Sequence, residues 1–117
     1  MAKVPEDDEV LAALTDLVTA LTANKAEIER ICVRAEALRR SRLEGRPYRE
    51  IVTKEHRPLI VEMLRDNHER LSTAGSRFRR EEAAALRAEG MTYHEIAALF
   101  GVTRQRVIAL VQERDRA

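Results

Sequence analysis

The residues with the most directed polar chemistry are Thr103, Arg104, Gln105 and Arg106. A guanidinium can donate two parallel hydrogen bonds to O6 and N7 of guanine, and a glutamine amide can bond N6 and N7 of adenine. Thr103 stands just before an apolar-periodic run, where a hydroxyl can cap a helix and the helix dipole favours a phosphate. Between Ile96 and Gln112 the only charged residues are Arg104 and Arg106, so no carboxylate there repels a polyanion. Upstream, Thr92, Tyr93 and His94 offer a hydroxyl, a phenol and an imidazole for phosphate contact, with a core-edge role for Tyr93 as the alternative. Arg77, Arg79 and Arg80 form a basic knot, suited either to backbone phosphates or to solvent.

Other chemistries find no support in the pattern. His56, His68 and His94 are too scattered for local metal-ligand spacing, and Cys32 is the lone cysteine. No glycine-rich phosphate loop or nucleophile elbow is present. Glu81 and Glu82 sit near a helix start, where carboxylates stabilise the dipole. No enzyme, metal or cofactor is expected. Cys32 is expected to be a small core residue rather than a redox sensor.

Positioning the polar stretch requires a compact set of helices. The spacing predicts a helix over 77–89, with Phe78, Ala85 and Leu86 inward and Gly90 as its stop. Thr92 and Glu95 have capping-box spacing and open a second helix carrying Ile96, Ala97, Leu99 and Phe100. Gly101 ends it. Thr103 then caps a third helix bearing Val107, Ile108, Leu110 and Val111. Taking Tyr93 as the first position, the fifth is the small Ala97 and the ninth is Gly101, where the turn requires positive φ. The fifteenth and eighteenth are the apolar Val107 and Leu110. Ile96, Phe100 and Val102 complete a small core, and Thr103 to Arg106 face outward with Ala109 and Glu113. Two short helices meeting at a tight glycine turn form a helix-turn-helix unit.

The stretch from Gly90 to Val107 resembles the helix-turn-helix of bacterial transcription factors, and is most similar to region four of sigma factors and related small regulators and recombinases. The resemblance covers roughly residues 77 to 114. It implies that the helix beginning near Thr103 enters the DNA major groove while the preceding helix crosses the backbone. The N-terminal two thirds match no sigma-factor region, so a complete sigma factor is not implied.

The rest of the chain reads as support. Residues 6–44 contain neither Gly nor Pro, Pro5 suits a helix start, and the acids behind it complement the dipole. Leu11, Leu14, Val18, Leu21, Ile28, Cys32 and Ala35 recur in alternating steps of three and four, with Lys25 as a polar interruption; Val10, Leu17 and Ile31 widen the stripe. Two structures fit: one long helix that pairs with a second copy, or a hairpin broken near Asn24. A homodimer is favoured because the remaining chain looks too small to cover the stripe. Gly45 and Pro47 break this element, a short helix covers 48–54, and Pro58 suits the first turn of a helix over 59–71. Ser72 to Ser76 read as a turn or hinge. Glu44-Gly45, Tyr48, Glu50 and Ile51 echo Glu89-Gly90, Tyr93, Glu95 and Ile96. The earlier copy fails as a helix-turn-helix, with Val52, His56 and Glu62 at the fifth, ninth and fifteenth positions. It reads as coincidence or a decayed repeat.

Composition agrees with an all-α fold. In 117 residues, aromatics make up 3%, with Gly 4 and Pro 3, too little turn chemistry for a sandwich or barrel. No apolar run is long enough for a membrane span. The expected organisation is an N-terminal dimerisation helix or hairpin (1–45), a helical linker or platform (46–75) and a helix-turn-helix domain (76–117). The expected function is that of a dimeric, sequence-specific, double-stranded-DNA-binding transcriptional regulator in the cytoplasm, at the nucleoid. The alternatives are a helical module gripping a sigma factor, RNA polymerase or another regulator, and a nucleoid-associated protein.

Overall fold

The computed structural model describes residues 7–116. Among them are five helices and no strand: α1 (Glu9–Leu43), α2 (Tyr48–Thr53), α3 (Ile60–Ala88), α4 (Tyr93–Phe100) and α5 (Arg104–Arg116). The expected role of Pro5 lies outside the described residues.

Residues 9–43 form one unbroken helix rather than a hairpin. The Asp8 carboxylate accepts from the Leu11 N–H at 3.0 Å and caps its start. Asn24 does not break it, because that side chain is engaged across the fold. Asn24 Nδ2 donates to the Asn67 carbonyl at 3.0 Å, and Asn24 Oδ1 accepts from Arg70 Nη1 at 2.6 Å. A buried amide with both ends satisfied has no reason to interrupt the backbone ladder.

The turn or hinge expected at 72–76 is helical instead: α3 runs through it and replaces the two helices expected over 59–71 and 77–89. A mid-helix glycine costs about 1 kcal/mol relative to alanine, which packing of the helix face can offset. Ala74 is buried beside Gly75. Pro58 lies before α3 rather than in its first turn, and the Arg57–Pro58 bond is cis. The free N–H groups at the start of α3 are met by side chains instead. Glu62 Oε1 accepts from the Leu59 N–H at 3.3 Å, and Glu55 Oε1 from the Ile60 N–H at 2.6 Å.

The chain divides into two compact units, one of residues 1–19 with 73–117 and one of residues 20–72. In the second unit, α1 turns Ala20, Asn24, Glu27, Ile31, Arg34, Leu38 and Ser41 toward the fold, in steps of three and four. The matching positions of α3 are Ile60, Met63, Asn67 and Arg70. Ile51 of α2 is buried in the same unit. Arg34 ties down the connection before α3: it donates to the His56 and Pro58 carbonyls and lies 3.5 Å from Glu55 Oε1.

The inward face of α1 is therefore offset by one residue from the stripe read in the sequence. Leu11, Leu14, Val18, Leu21 and Ile28 are exposed, and so is Cys32, which is not a core residue. Small residues (Ala13 and Ala20) and the Asn24 amide take the inward positions.

In the first unit the core is Ile96, Ala97 and Val107, with Leu86, Met91, Tyr93 and Phe100 against it. Ala83 and Leu110 are also buried. Val102, expected inside, is 41% exposed, and Leu99 faces solvent.

Candidate nucleic-acid interface

The C-terminal part of α3 with α4 and α5 forms a tri-helical unit. After Ala88 the chain turns through Gly90 at φ +102°, a conformation costly for a side chain bearing Cβ. The Met91 N–H bonds back to the Leu86 carbonyl at 3.0 Å and closes the end of α3. Thr92 and Glu95 form the expected capping box: Thr92 Oγ1 accepts from the Glu95 N–H at 3.1 Å, and Glu95 Oε1 from the Thr92 N–H at 3.1 Å. The Thr92 backbone N–H, and after it the Thr92 side chain, hold the Glu95 carboxyl below its ordinary pKa, with a smaller contribution in the same direction from His94. Gly101 ends α4 in the left-handed region, with the Val102 N–H bonded to the Ala97 carbonyl at 3.1 Å.

Thr103 caps α5, accepting from the Arg106 N–H at 3.1 Å. Val107 and Leu110 are buried and fix the rotation of α5. At 100° per residue, Gln105 and Gln112 then lie on its far side, and both are exposed. Arg104 is exposed, with its guanidinium 5.8 Å from the centre of the Tyr93 ring. Arg106 is exposed but faces Glu113 across 3.8 Å. His94 is exposed at the start of α4, while Tyr93 is half-buried. Thr103 to Arg106 are thus continuous on the surface, and Tyr93 joins them through Arg104.

The arginine knot separates into different roles. Arg77 is half-buried, paired with Asp16 and 3.7 Å from Glu9 of the same unit, so its charge is met internally. Arg79 is exposed, donates to Ser76 Oγ at 3.2 Å, and lines a shallow pocket with Phe100, Val102 and Arg106. Arg80 is half-buried. Further along, Arg114 meets Glu81 at 3.3 Å, which raises its pKa and docks α5 on α3.

Two residues escaped the sequence reading. Arg87 lies over the Tyr93 ring at 4.3 Å and donates to the Met91 carbonyl at 3.0 Å. Its distance in sequence from Tyr93 gave no helical-face signal. Gln112 shares the outer face of α5 with Gln105, and the seven-residue step between them was the available clue.

A family model for a homeodomain-like domain matches residues 75–115, about a third of the chain and the same helices just described. No curated protein and no solved structure matches. The matched stretch is similar to helix-turn-helix domains, which suggests DNA binding. Among the described residues, no helix is long and apolar enough to cross a membrane.

Proposed function

We propose that the protein is a dimeric, sequence-specific DNA-binding regulator of transcription, acting at the nucleoid by binding rather than catalysis. The observation that carries this reading is the N-terminal half of α5: capped by Thr103, anchored by Val107 and Leu110, and exposing Arg104, Gln105 and Arg106 with no acid nearer in sequence than Glu113. This helix is the one offered to the major groove, with α4 crossing the backbone. The likeness to sigma-factor region four lies in the same residues and supports a role at promoters.

A single unit of this size makes few base contacts, and two copies reading two half-sites multiply them. The chain has a face for a second copy. In the unit of residues 20–72, Leu21, Ile28, Val61, Leu64 and Leu71 are 45–68% exposed. In an antiparallel helix pair, the positions following the inward residues Ala20, Glu27, Met63 and Arg70 flank the same side of the seam. Leu21 and Ile28 of α1 and Leu64 and Leu71 of α3 occupy those positions. The seam itself buries Asn24 and Asn67 among few apolar residues, Ala20, Ile31 and Met63. A pair of helices with this little core gains most by joining a second pair into a four-helix bundle. Charge suits that occupant: Glu29 and Arg65, both exposed, border the face at one level on opposite helices, so a two-fold copy brings them together. The stripe Leu11, Leu14 and Val18 continues along α1 in the other unit.

The test is selection of DNA from a random pool by the purified protein, with its mass measured by sedimentation. Palindromic sites and a dimer mass are expected. A monomer that selects no sequence overturns the proposal. The same aliphatic face favours one second reading, a module that grips a helix of sigma factor or RNA polymerase, and a monomer that forms a stoichiometric complex with either would replace the dimer. Retention of genomic DNA without sequence preference would instead indicate a nucleoid-associated protein.

A further inference from the structure

The sequence echo between the two units is matched by a repeated turn. In one unit Gly90 has φ +102° and its N–H bonds to the Arg87 carbonyl at 3.0 Å; in the other, Gly45 has φ +92° and bonds to the Arg42 carbonyl at 2.9 Å. The next N–H in each, Met91 or Arg46, reaches back to Leu86 or Ser41 at 3.0 and 3.3 Å. Arg87 donates to the Met91 carbonyl at 3.0 Å, and Arg42 to the Arg46 carbonyl at 3.1 Å. Arg87 lies 4.3 Å over Tyr93, and Arg42 lies 4.6 Å over Tyr48. Each tyrosine opens a helix whose isoleucine, Ile96 or Ile51, is buried.

The copies differ in what they expose. Where one unit has Met91 and His94, the other has Arg46 and Arg49. From Arg39 to Lys54 there are six bases (Arg39, Arg40, Arg42, Arg46, Arg49, Lys54) against Glu44 and Glu50. Arg39 lies 3.1 Å from Glu36, Arg46 3.6 Å from Glu44 and Lys54 3.3 Å from Glu50, so Arg40, Arg42 and Arg49 exceed the acids. All of these side chains are exposed. Tyr48 is 65% exposed, a phenol held in place by a guanidinium and open to solvent.

Resting on the DNA-binding reading above, we infer that the Arg42–Tyr48–Arg49 turn is a second contact surface for the DNA phosphate backbone, with Arg46 and Arg49 as its donors. It reads no bases. It contributes sequence-independent affinity through counterion release. The turn itself uses the Arg42 side chain and the Arg46 carbonyl, so the Arg46 and Arg49 side chains can be changed without dismantling it.

The experiment compares the full chain with the double variant Arg46→Gln, Arg49→Gln on a fluorescent duplex of mixed sequence, across a salt series. Each lost phosphate contact lowers the slope of log affinity against log salt by about 0.9. A slope reduced by about 2 for each chain bound to the duplex, with weaker binding at low salt, is expected. A second variant, Arg30→Gln with Arg57→Gln, removes the same charge from exposed positions of the same unit that lie off the dimer face, and should leave the slope as in the unaltered chain. An unchanged slope for Arg46→Gln, Arg49→Gln, or an equal fall in the second variant, overturns the inference while leaving the helix-turn-helix reading intact. Failure of the unaltered chain to bind any duplex overturns both.

Discussion

The turn into α2 and the turn into α4 start alike and end differently. Both use a left-handed glycine, a stacked arginine and a buried isoleucine. After α4 the chain turns at Gly101 and Thr103 immediately caps α5, so the two helices share a packed core around Ile96 and Val107. After α2 the chain runs through residues 54–59 before α3, held by Arg34 and Glu55 instead of an apolar core. A turn is thus a local device that a sequence can use twice. A recognition helix additionally needs a short second turn and an apolar face aimed back at the first helix.

The largest test of that contrast lies in the two isoleucines. Ile96→Ala should cost about 2–5 kcal/mol by the general range for buried isoleucine. Ile51→Ala should cost less, because Ile51 retains 8% exposure in a thinner core, as Ile96 does not. Chemical denaturation checks both, and equal losses would mean the α2 turn is as well packed as the α4 turn. Next, Leu21→Asp with Leu64→Asp should convert a dimer to a monomer in sedimentation while the helix content is kept. An unaltered mass would remove the proposed face. On the recognition side, Arg104→Ala should weaken binding to a selected site by about 1–3 kcal/mol and relax its specificity, read by titration against matched and mismatched duplexes. Smaller still, Thr92→Ala should lose about 1 kcal/mol of stability, because it removes the acceptor of the Glu95 N–H, a cap that α2 lacks at Pro47.

The smallest effect is on pH. The folded state holds the Glu95 carboxyl below its ordinary pKa, so its contribution is present above the usual carboxylate range. It is lost as pH falls through the lowered value. The stability gap between the unaltered chain and Glu95→Ala should therefore shrink on acidification, as thermal melts at neutral and acid pH would show. A constant gap would detach the cap from the charge.

The sequence by itself determined the elements whose signals are local. Thr92 with Glu95, Gly101, Thr103 and the positions of Ala97, Val107 and Leu110 specify the C-terminal helices, because caps and turns are short-range chemistry. The outward placement of Arg104, Gln105 and Arg106 followed from the same spacing. Tertiary structure decided which of two adjacent stripes of α1 faces inward. Both repeat in steps of three and four; the inward one carries the Asn24–Asn67 hydrogen bond and the more apolar one is left exposed. It decided that the Ser72–Ser76 stretch, a turn by composition, stays helical. It also drew Arg77 to Asp16 and Glu9, and Arg114 to Glu81, all far apart in sequence. Charge partners and packing partners are long-range choices, and residue types alone do not fix them.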